Sequence, residues 1–178
     1  KKIVVFFKFE EDLYKRHGVD AEFVGHPLID TVRASGSRDE VLKRYDLSPE
    51  KKTVSLLAGS MAIEVERLLG VLASAAGLIN KGLGGVQFIV SKHPQLERRL
   101  YDGALKDLKA DFAIAEGTPY DILAASDLAI VASGTATLET AIIGTPLIIV
   151  YKVSPLTHIL YKLVARMPFL GLPNVVAG

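Results

Sequence analysis

The chain has 178 residues, with 21 Lys and Arg against 20 Asp and Glu, four His and no Cys. This near-neutral balance excludes a strong field that would steer the protein to nucleic acid, so we expect no nucleic-acid partner. The lack of Cys excludes disulfides and thiolate metal sites, and the scattered His residues do not indicate zinc, so we predict neither a metal nor a cofactor. The length allows one domain with a sizeable core and an additional piece. The apolar fraction of 49% fits strands buried on both faces of a sheet, and equally a protein that handles lipid.

The chain begins at Lys1-Lys2-Ile3, without a Met, and enters a strand directly. It contains neither a signal-peptide pattern nor an apolar run long enough to cross a bilayer. We therefore expect a cytoplasmic fragment, natural or engineered.

Residues 1–50 contain an irregular set of elements. A strand over residues 3–7 precedes a charged helical pattern, EEDLYKRHG, and a second strand over residues 21–25 precedes a charged helix over residues 38–45. The strands are β-branched and aromatic runs. This order predicts a connector and the edge of another domain.

Residues 51–178 alternate between strands and helices. The strands are short apolar runs: TVSLL (53–57), VQFIV (86–90), DFAIA (111–115), LAIVA (128–132) and LIIVY (147–151). An amphipathic helix is predicted from Ala62 to Asn80, and Thr118 is the predicted N-cap of a short helix that ends at Ala125. The alternation predicts a doubly wound α/β fold with a parallel sheet over about residues 52–152. Ligands of such folds bind at the carboxyl ends of the strands.

Two strand-to-helix turns place Gly and hydroxyl residues just before a helix. They lie in LLAGSMAIEVE (56–66) and VASGTATLE (131–139). Free backbone N–H groups and the helix dipole favour an anion at such turns, so two of them on one sheet edge predict a phosphorylated ligand that both share. The alternative is that Gly and Ser only make tight turns and caps. Neither turn matches the dinucleotide or P-loop pattern.

Glu139 is the one carboxylate near the second turn. With Thr135 as the predicted N-cap, Glu139 falls at the fourth helical position, whereas a capping box places its acid at the third. It lies on the same helical face as Thr135, where a carboxylate suits a pair of sugar hydroxyls. The alternative is a solvated Glu on the helix surface.

Four segments together resemble the lipid-A-disaccharide synthases, glycosyltransferases of the two-domain GT-B type. They are VGHPLID (24–30), LLAGSMAIEVERLL (56–69), ASDLAIVASGTATLETAIIGTPLIIVYKVSPLT (125–157) and LPNVVAG (172–178). The resemblance implies a Rossmann-like domain that binds UDP over residues 51–178, truncated at its carboxyl end, and the edge of the acceptor-side domain over residues 1–50. It also implies transfer of 2,3-diacylglucosamine from its UDP derivative to 2,3-diacylglucosamine 1-phosphate. The implied UDP-binding residues are Gly59, Ser60, Ser133, Gly134, Thr135 and Glu139, with Glu139 on the ribose.

Three further positions are implied to serve catalysis. Met61 stands where the family has an Arg, and Met can neither neutralise nor hydrogen-bond a leaving diphosphate. His26 would lie near the interdomain cleft, with a structural role as the alternative, and Asn174 matches a family position linked to activity. Because the acceptor domain and its general base are not in this chain, we expect the chain to be inactive alone.

The implied partners are UDP or UDP-2,3-diacylglucosamine and, in the full enzyme, a lipid acceptor. The amphipathic segment 154–170 is compatible with peripheral contact with the inner membrane, but a helix packed on the sheet explains it better. Two alternatives to the transferase stay open. One is a non-catalytic UDP-binding module, natural or engineered, and the other is a different UDP-N-acetylglucosamine enzyme of the same fold, a 2-epimerase or a murein-type transferase.

Overall fold

The computed structural model describes residues 2–152 and 171–177. In that part of the chain the strands are β1 (Ile3–Val5), β2 (Ala21–Phe23), β3 (Thr53–Leu57), β4 (Gln87–Lys92), β5 (Phe112–Glu116), β6 (Leu128–Ala132) and β7 (Leu147–Val150). The helices are α1 (Lys8–Arg16), α2 (Leu28–Thr31), α3 (Arg38–Arg44), α4 (Ala62–Leu83), α5 (Arg98–Leu105), α6 (Tyr120–Ala124), α7 (Thr135–Ile143) and α8 (Leu172–Ala177). The amphipathic segment 154–170 lies outside the described residues.

The central feature is a five-stranded parallel sheet in the order β5-β4-β3-β6-β7. The chain builds β3, β4 and β5 in one direction and then returns to the other side of β3 to build β6 and β7. Every residue of β3 is buried, as expected for the middle strand of a sheet covered on both faces. The predicted doubly wound α/β fold is confirmed. The carboxyl ends of β3 and β6 are neighbours, since Leu57 lies opposite Val131 in the register, and this brings the two predicted turns to one edge of the sheet.

Alternate residues of the strands feed two different cores, as the two-residue period of a strand requires. Phe88 and Val90 pack with α4 and α5 in the larger core, which includes Leu69 and Tyr101. Ile89, between them in β4, packs on the other face with residues of α3 and α6. Helices therefore cover both faces and leave the strand ends accessible.

The first residues form a separate small unit. β1 and β2 pair in parallel as a two-stranded sheet, joined by α1. Helix α3, which the sequence prediction assigned to the connector, instead buries Val41 and Leu42 against Ile89 and Ile122. The packed unit around the large sheet thus begins before residue 51, although the division into domains at residues 50 and 51 itself stays a prediction.

Arg38 joins α3 to the edge of the large sheet. Its guanidinium donates to the backbone carbonyls of Ala125 and Lys51, the latter at 3.0 Å, and lies 3.2 Å from Asp127 Oδ2. Asp127 also accepts from the backbone N–H of Thr53 at 3.0 Å and from Lys52 Nζ at 2.7 Å. Burial raises the pKa of Asp127, but these hydrogen bonds and the charge of Arg38 outweigh it, so the pKa lies below its ordinary value.

We expect Asp127→Asn to destabilise the protein at neutral pH by about 1–2 kcal/mol, because it removes the charge from a partly buried hydrogen-bonded cluster. A carboxyl group whose pKa is lower in the folded protein stabilises the fold at pH values above its unfolded-state pKa of about 3.9. This stabilisation is lost as the pH falls through the folded-state pKa. Urea unfolding at pH 7 and pH 3 should therefore show a smaller difference from the parent at pH 3. Asp111→Asn is the matched control, since its pair with Lys51 is exposed and should contribute little. An equal loss for Asp127→Asn at both pH values would contradict the charge argument.

Candidate functional site

A cleft of about 560 Å³ opens at the carboxyl edge of the large sheet, where the strand order reverses between β3 and β6. It is lined by the loops that follow β3, β4, β5 and β6. The six residues predicted to bind UDP all line it: Gly59, Ser60, Ser133, Gly134, Thr135 and Glu139. The structure thus brings both turns to one site, as their sheet positions predicted, while the role of each residue stays a proposal.

The β6–α7 turn presents backbone donors to the cleft. Gly134 is the N-cap and α7 begins at Thr135, so the prediction of Thr135 as N-cap was wrong by one residue and Glu139 occupies the fifth helical position. The shift arises because the carbonyl of Gly134 already accepts from the N–H and the hydroxyl of Thr137, at 3.1 and 2.7 Å. Gly134 has no side chain to cap the helix, and within the described part of the chain no side chain caps α7, so the N–H groups of Thr135 and Ala136 can face solvent or a ligand.

The β3–α4 turn differs from the prediction. Its N–H groups at Ser60 and Met61 donate to the protein's own Glu64 Oε2, at 3.0 and 3.1 Å. Glu64 is the third residue after the N-cap Met61, the spacing at which an acid reaches back to the helix start. The expectation that this turn offers free donors to an anion is therefore wrong for these two groups.

Gly59 is required by this self-capped turn. Its φ is +116°, and a Cβ built there would lie 2.8 Å from Glu64 Cβ. A side chain would thus be both strained and in collision. The role of Gly59 in the structure is to let Glu64 close over the turn.

Glu139 is not a solvated surface residue. It is half-buried, and its Oε1 accepts a hydrogen bond of 3.0 Å from the hydroxyl of Tyr120. Burial, and then the hydrogen bond and charge of Glu139, raise the pKa of Tyr120, so its hydroxyl stays protonated and donates at neutral pH. Glu139 lines the same cleft as Thr135 and Ala136, the first two residues of α7.

Tyr120 and its loop were missed as site residues by the sequence prediction. The helix there begins at Tyr120 with Pro119 as N-cap, one residue later than predicted, because the carbonyl of Pro119 accepts from the N–H of Leu123 at 2.9 Å. Thr118 is consequently a cleft-lining loop residue rather than the cap. An aromatic residue directly after Thr-Pro was the available signal, but its partner lies 19 residues away.

The loop after β4 also lines the cleft, through Ser91 and His93. Its backbone is anchored, since the N–H of His93 donates to the hydroxyl of buried Tyr101 at 3.2 Å. Lys92 is buried, and its Nζ pairs with Glu116 at 3.1 Å and donates to the backbone carbonyl of His93 at 3.4 Å. Among the described residues no Lys or Arg lines the cleft, whereas the carboxylates of Glu64 and Glu139 do.

The three predicted catalytic positions lie outside the described lining of the cleft. The ring of His26 packs against Phe6 and Phe7, at centroid distances of 5.5 and 5.2 Å, and its Nδ1 accepts from the N–H of Leu28 at 3.2 Å. These contacts give His26 a structural role at the start of α2, and its predicted place near the interdomain cleft stays a prediction.

Met61 and Asn174 are exposed. The side chain of Met61 is 56% exposed at the start of α4, and Asn174, in α8, borders a shallow groove beside β7. Their catalytic roles stay predictions.

Over residues 2–152 and 171–177, His, Asp and Glu form no group of three that could hold a metal ion. Among the described helices, none combines the length and apolarity needed to cross a bilayer.

A parallel sheet with helices on both faces and a cleft at its strand-order reversal defines a doubly wound, Rossmann-like α/β domain. Solved structures of this fold align with the chain. A chain of a GtfA/B complex aligns over 96% of this chain and 33% of its own length, with a TM-score of 0.54 and 13% identity. A glycosyl transferase of family 9 from Veillonella parvula aligns over 66% of this chain and 35% of its own, with a TM-score of 0.52 and 13% identity. At this identity the likeness concerns the fold alone.

The chain belongs to the lipid-A-disaccharide synthetase family, whose sequence model matches residues 1–178. The lipid-A-disaccharide synthase of Syntrophus aciditrophicus is 43% identical over 99% of this chain, and that of Geobacter sulfurreducens is 38% identical over 99%. The synthase of Coxiella burnetii is 38% identical over 98%. The chain spans about half the length of these curated relatives, 46% in each case.

Proposed function

We propose that this chain is the UDP-sugar-binding half of a lipid-A-disaccharide synthase. The observation that carries the proposal is the single cleft in which the Glu139 carboxylate lies beside the donor turn of α7. In the reaction proposed for the complete enzyme, the acceptor hydroxyl oxygen bonds to C1 of the donor sugar. The bond from C1 to the diphosphate oxygen breaks, its electron pair leaves with UDP, and the hydroxyl proton passes to a base on the acceptor-side domain.

In this proposal the chain holds UDP with neutral donors. The first N–H groups of α7 and the hydroxyl of Thr135 face the diphosphate, and Glu139 accepts from the ribose hydroxyls. The described cleft lining lacks a cation, and Met61 cannot supply one, so we expect weak affinity. Because the proposed substrates are acylated, we also propose a cytoplasmic enzyme with peripheral contact with the inner membrane.

The test is a UDP titration of the chain by calorimetry and thermal unfolding. UDP should raise the melting temperature in a concentration-dependent way, since a ligand that binds only the folded state stabilises it. Uridine, which lacks the diphosphate, and ADP, which has another base, serve as controls. No effect of UDP, or equal effects of UDP and uridine, would refute diphosphate binding in this cleft.

A second candidate is a UDP-binding module without catalytic activity. It is favoured by the cation-free described lining and by the exposed Met61 at the family's Arg position. Turnover in the presence of the acceptor-side domain separates it from the transferase. The family match favours the synthase over the 2-epimerase and murein-type alternatives.

We expect Glu64→Gln to tighten UDP binding about tenfold while destabilising the fold by about 1 kcal/mol. Glu64 places a negative charge in the cleft, and two unit charges about 8 Å apart interact by roughly 2 kcal/mol at an effective dielectric of 20, before screening by salt. Gln keeps an oxygen that can accept from Ser60 and Met61 but loses the repulsion and part of the cap.

Glu66→Gln is the matched control for this prediction, because it removes an equal charge from an exposed position on the same helix that does not line the cleft. Calorimetry at low and high salt should show a gain for Glu64→Gln that shrinks with salt. Equal gains for both variants would assign the effect to net charge, and unchanged affinity for both would place the diphosphate away from Glu64.

A further inference from the structure

Tyr120 and Glu139 connect two neighbouring helices across the cleft. Tyr120 is the first residue of α6, and Glu139 lies in the second turn of α7. Their hydrogen bond of 3.0 Å joins the phenol hydroxyl to Oε1 of the carboxylate. Both residues are half-buried and both line the cleft, so the bond lies at the edge of the space that a ligand would fill.

The bond uses only part of the acceptor capacity of Glu139. A carboxylate has two oxygens with about four lone-pair directions, and within the described part of the chain the Tyr120 hydroxyl is its one hydrogen-bond donor. Oε2 therefore keeps its capacity to accept from a ligand. Because a Glu side chain rotates about three bonds, a donor that holds one oxygen in place reduces the entropy lost when the other oxygen binds a ligand.

Tyr120 is itself held by a fixed support. The next residue, Asp121, accepts from the backbone N–H groups of Ser35 and Gly36, at 2.7 and 3.3 Å, and lies 3.6 Å from Arg44. These contacts hold the start of α6 against the loop before α3. The hydroxyl of Tyr120 is thus presented from a rigid position rather than from a free loop.

We propose that Tyr120 is a positioning residue that holds the Glu139 carboxylate for the ribose hydroxyls of the nucleotide. This inference deepens the proposed function and rests on it. A purely structural Tyr120 would fill space between α6 and α7 and would affect all nucleotides equally. A positioning Tyr120 acts through Glu139 and therefore affects only the part of the affinity that comes from the ribose hydroxyls.

The test compares Tyr120→Phe with the parent chain, using UDP, 2′-deoxy-UDP and 3′-deoxy-UDP in calorimetric titrations. Phe keeps the ring and removes only the hydroxyl. We expect the affinity for UDP to fall roughly three- to tenfold, the loss that one hydrogen bond to a charged group and a freed side chain would produce. One of the two deoxy nucleotides should bind the parent more weakly than the other. For that nucleotide the substitution should lower the affinity less than it does for UDP, so that the preference for UDP over it shrinks. Tyr14→Phe, on α1, is the control and should leave all three affinities unchanged.

Each outcome decides one assignment. If the parent prefers UDP to a deoxy nucleotide and Tyr120→Phe keeps that preference, the positioning role is overturned while UDP binding stands. If Tyr120→Phe weakens all three nucleotides equally, its role is structural and the inference is overturned. If the parent binds UDP without preferring it to either deoxy nucleotide, Glu139 does not hold the ribose and the inference falls with that assignment. If the parent does not bind UDP, the proposed function and the inference both fail.

Discussion

Glu139→Ala should reduce the affinity of the chain for UDP by roughly a hundredfold or more, which would take weak binding below calorimetric detection. The proposed role of Glu139 is to accept from ribose hydroxyls, and each hydrogen bond to a charged group contributes about 1.5–3 kcal/mol. Two such bonds correspond to at least two factors of ten in affinity, at about 1.4 kcal/mol per factor. The expected loss is larger than that for Tyr120→Phe because the acceptor itself is removed.

An opposing effect makes this a sharp test. Glu139 also brings a negative charge into a cleft whose described lining has no Lys or Arg, so its removal relieves repulsion of the diphosphate. Glu139→Gln separates the two effects, since the amide keeps one oxygen acceptor and loses the charge. If ribose binding dominates, the Gln variant should bind with an affinity between those of the parent and the Ala variant.

Circular dichroism and the melting temperature of each variant should establish that the fold is retained. Glu66→Ala, which removes an exposed carboxylate outside the cleft, should bind UDP like the parent. Equal affinity of the parent and Glu139→Ala would show that the ribose assignment is wrong. Tighter binding by both Glu139 variants would show that charge repulsion outweighs any ribose contact.

The sheet could be predicted because its strands are buried on both faces. A strand such as β4 must be apolar almost throughout, and continuous β-branched and aromatic runs such as VQFIV are conspicuous in the sequence. Neighbouring strand ends at Leu57 and Ala132 then follow from the doubly wound topology, so the common position of the two turns was predictable as well.

The ends of the helices were harder to predict, because several neighbouring residues are each able to end a helix. Helix α4 continues past Asn80, its predicted last residue, to Leu83, and its C-cap is Gly84, whose φ of +66° is readily adopted by Gly. Gly82 lies within the last turn of α4 and is tolerated in that position, so a Gly alone does not mark the end of the helix. The capping of the same helix by Glu64 was predictable, because its partner N–H groups are three and four residues away.

Contacts between distant residues could not be predicted from local pattern. Helix α3 has a charged sequence, RDEVLKR, yet its Val41 and Leu42 are completely buried against the large sheet. The Tyr120–Glu139 bond joins two helices whose separation depends on how α6 and α7 pack. The sequence pattern singled out Glu139 but not the hydroxyl of Tyr120 that donates to it.

The largest effect we expect is on turnover, and it concerns Met61. The isolated chain should form no detectable lipid A disaccharide, because the proposed transfer needs an acceptor hydroxyl activated by the other domain as well as a stabilised diphosphate leaving group. Met61→Arg in the isolated chain should tighten UDP binding without restoring turnover. A cation at the start of α4 would also pair with Glu64, which now caps that turn, and so reduce the negative charge of the cleft.

In a protein that also carries the amino-terminal half of the family, the same Met61→Arg substitution should raise the rate of transfer by roughly ten- to thousandfold. This is the range expected when a charged donor stabilises a leaving group in a closed site. Met61→Lys is the matched control, since it adds the charge without the bidentate geometry and should give a smaller gain. A radiolabelled-donor assay on these proteins measures the rates. Turnover by the isolated parent chain would contradict the half-enzyme proposal. If Arg gives no gain in the two-domain protein, position 61 has no role in the mechanism, because a leaving diphosphate that already has all its donors gains nothing from another.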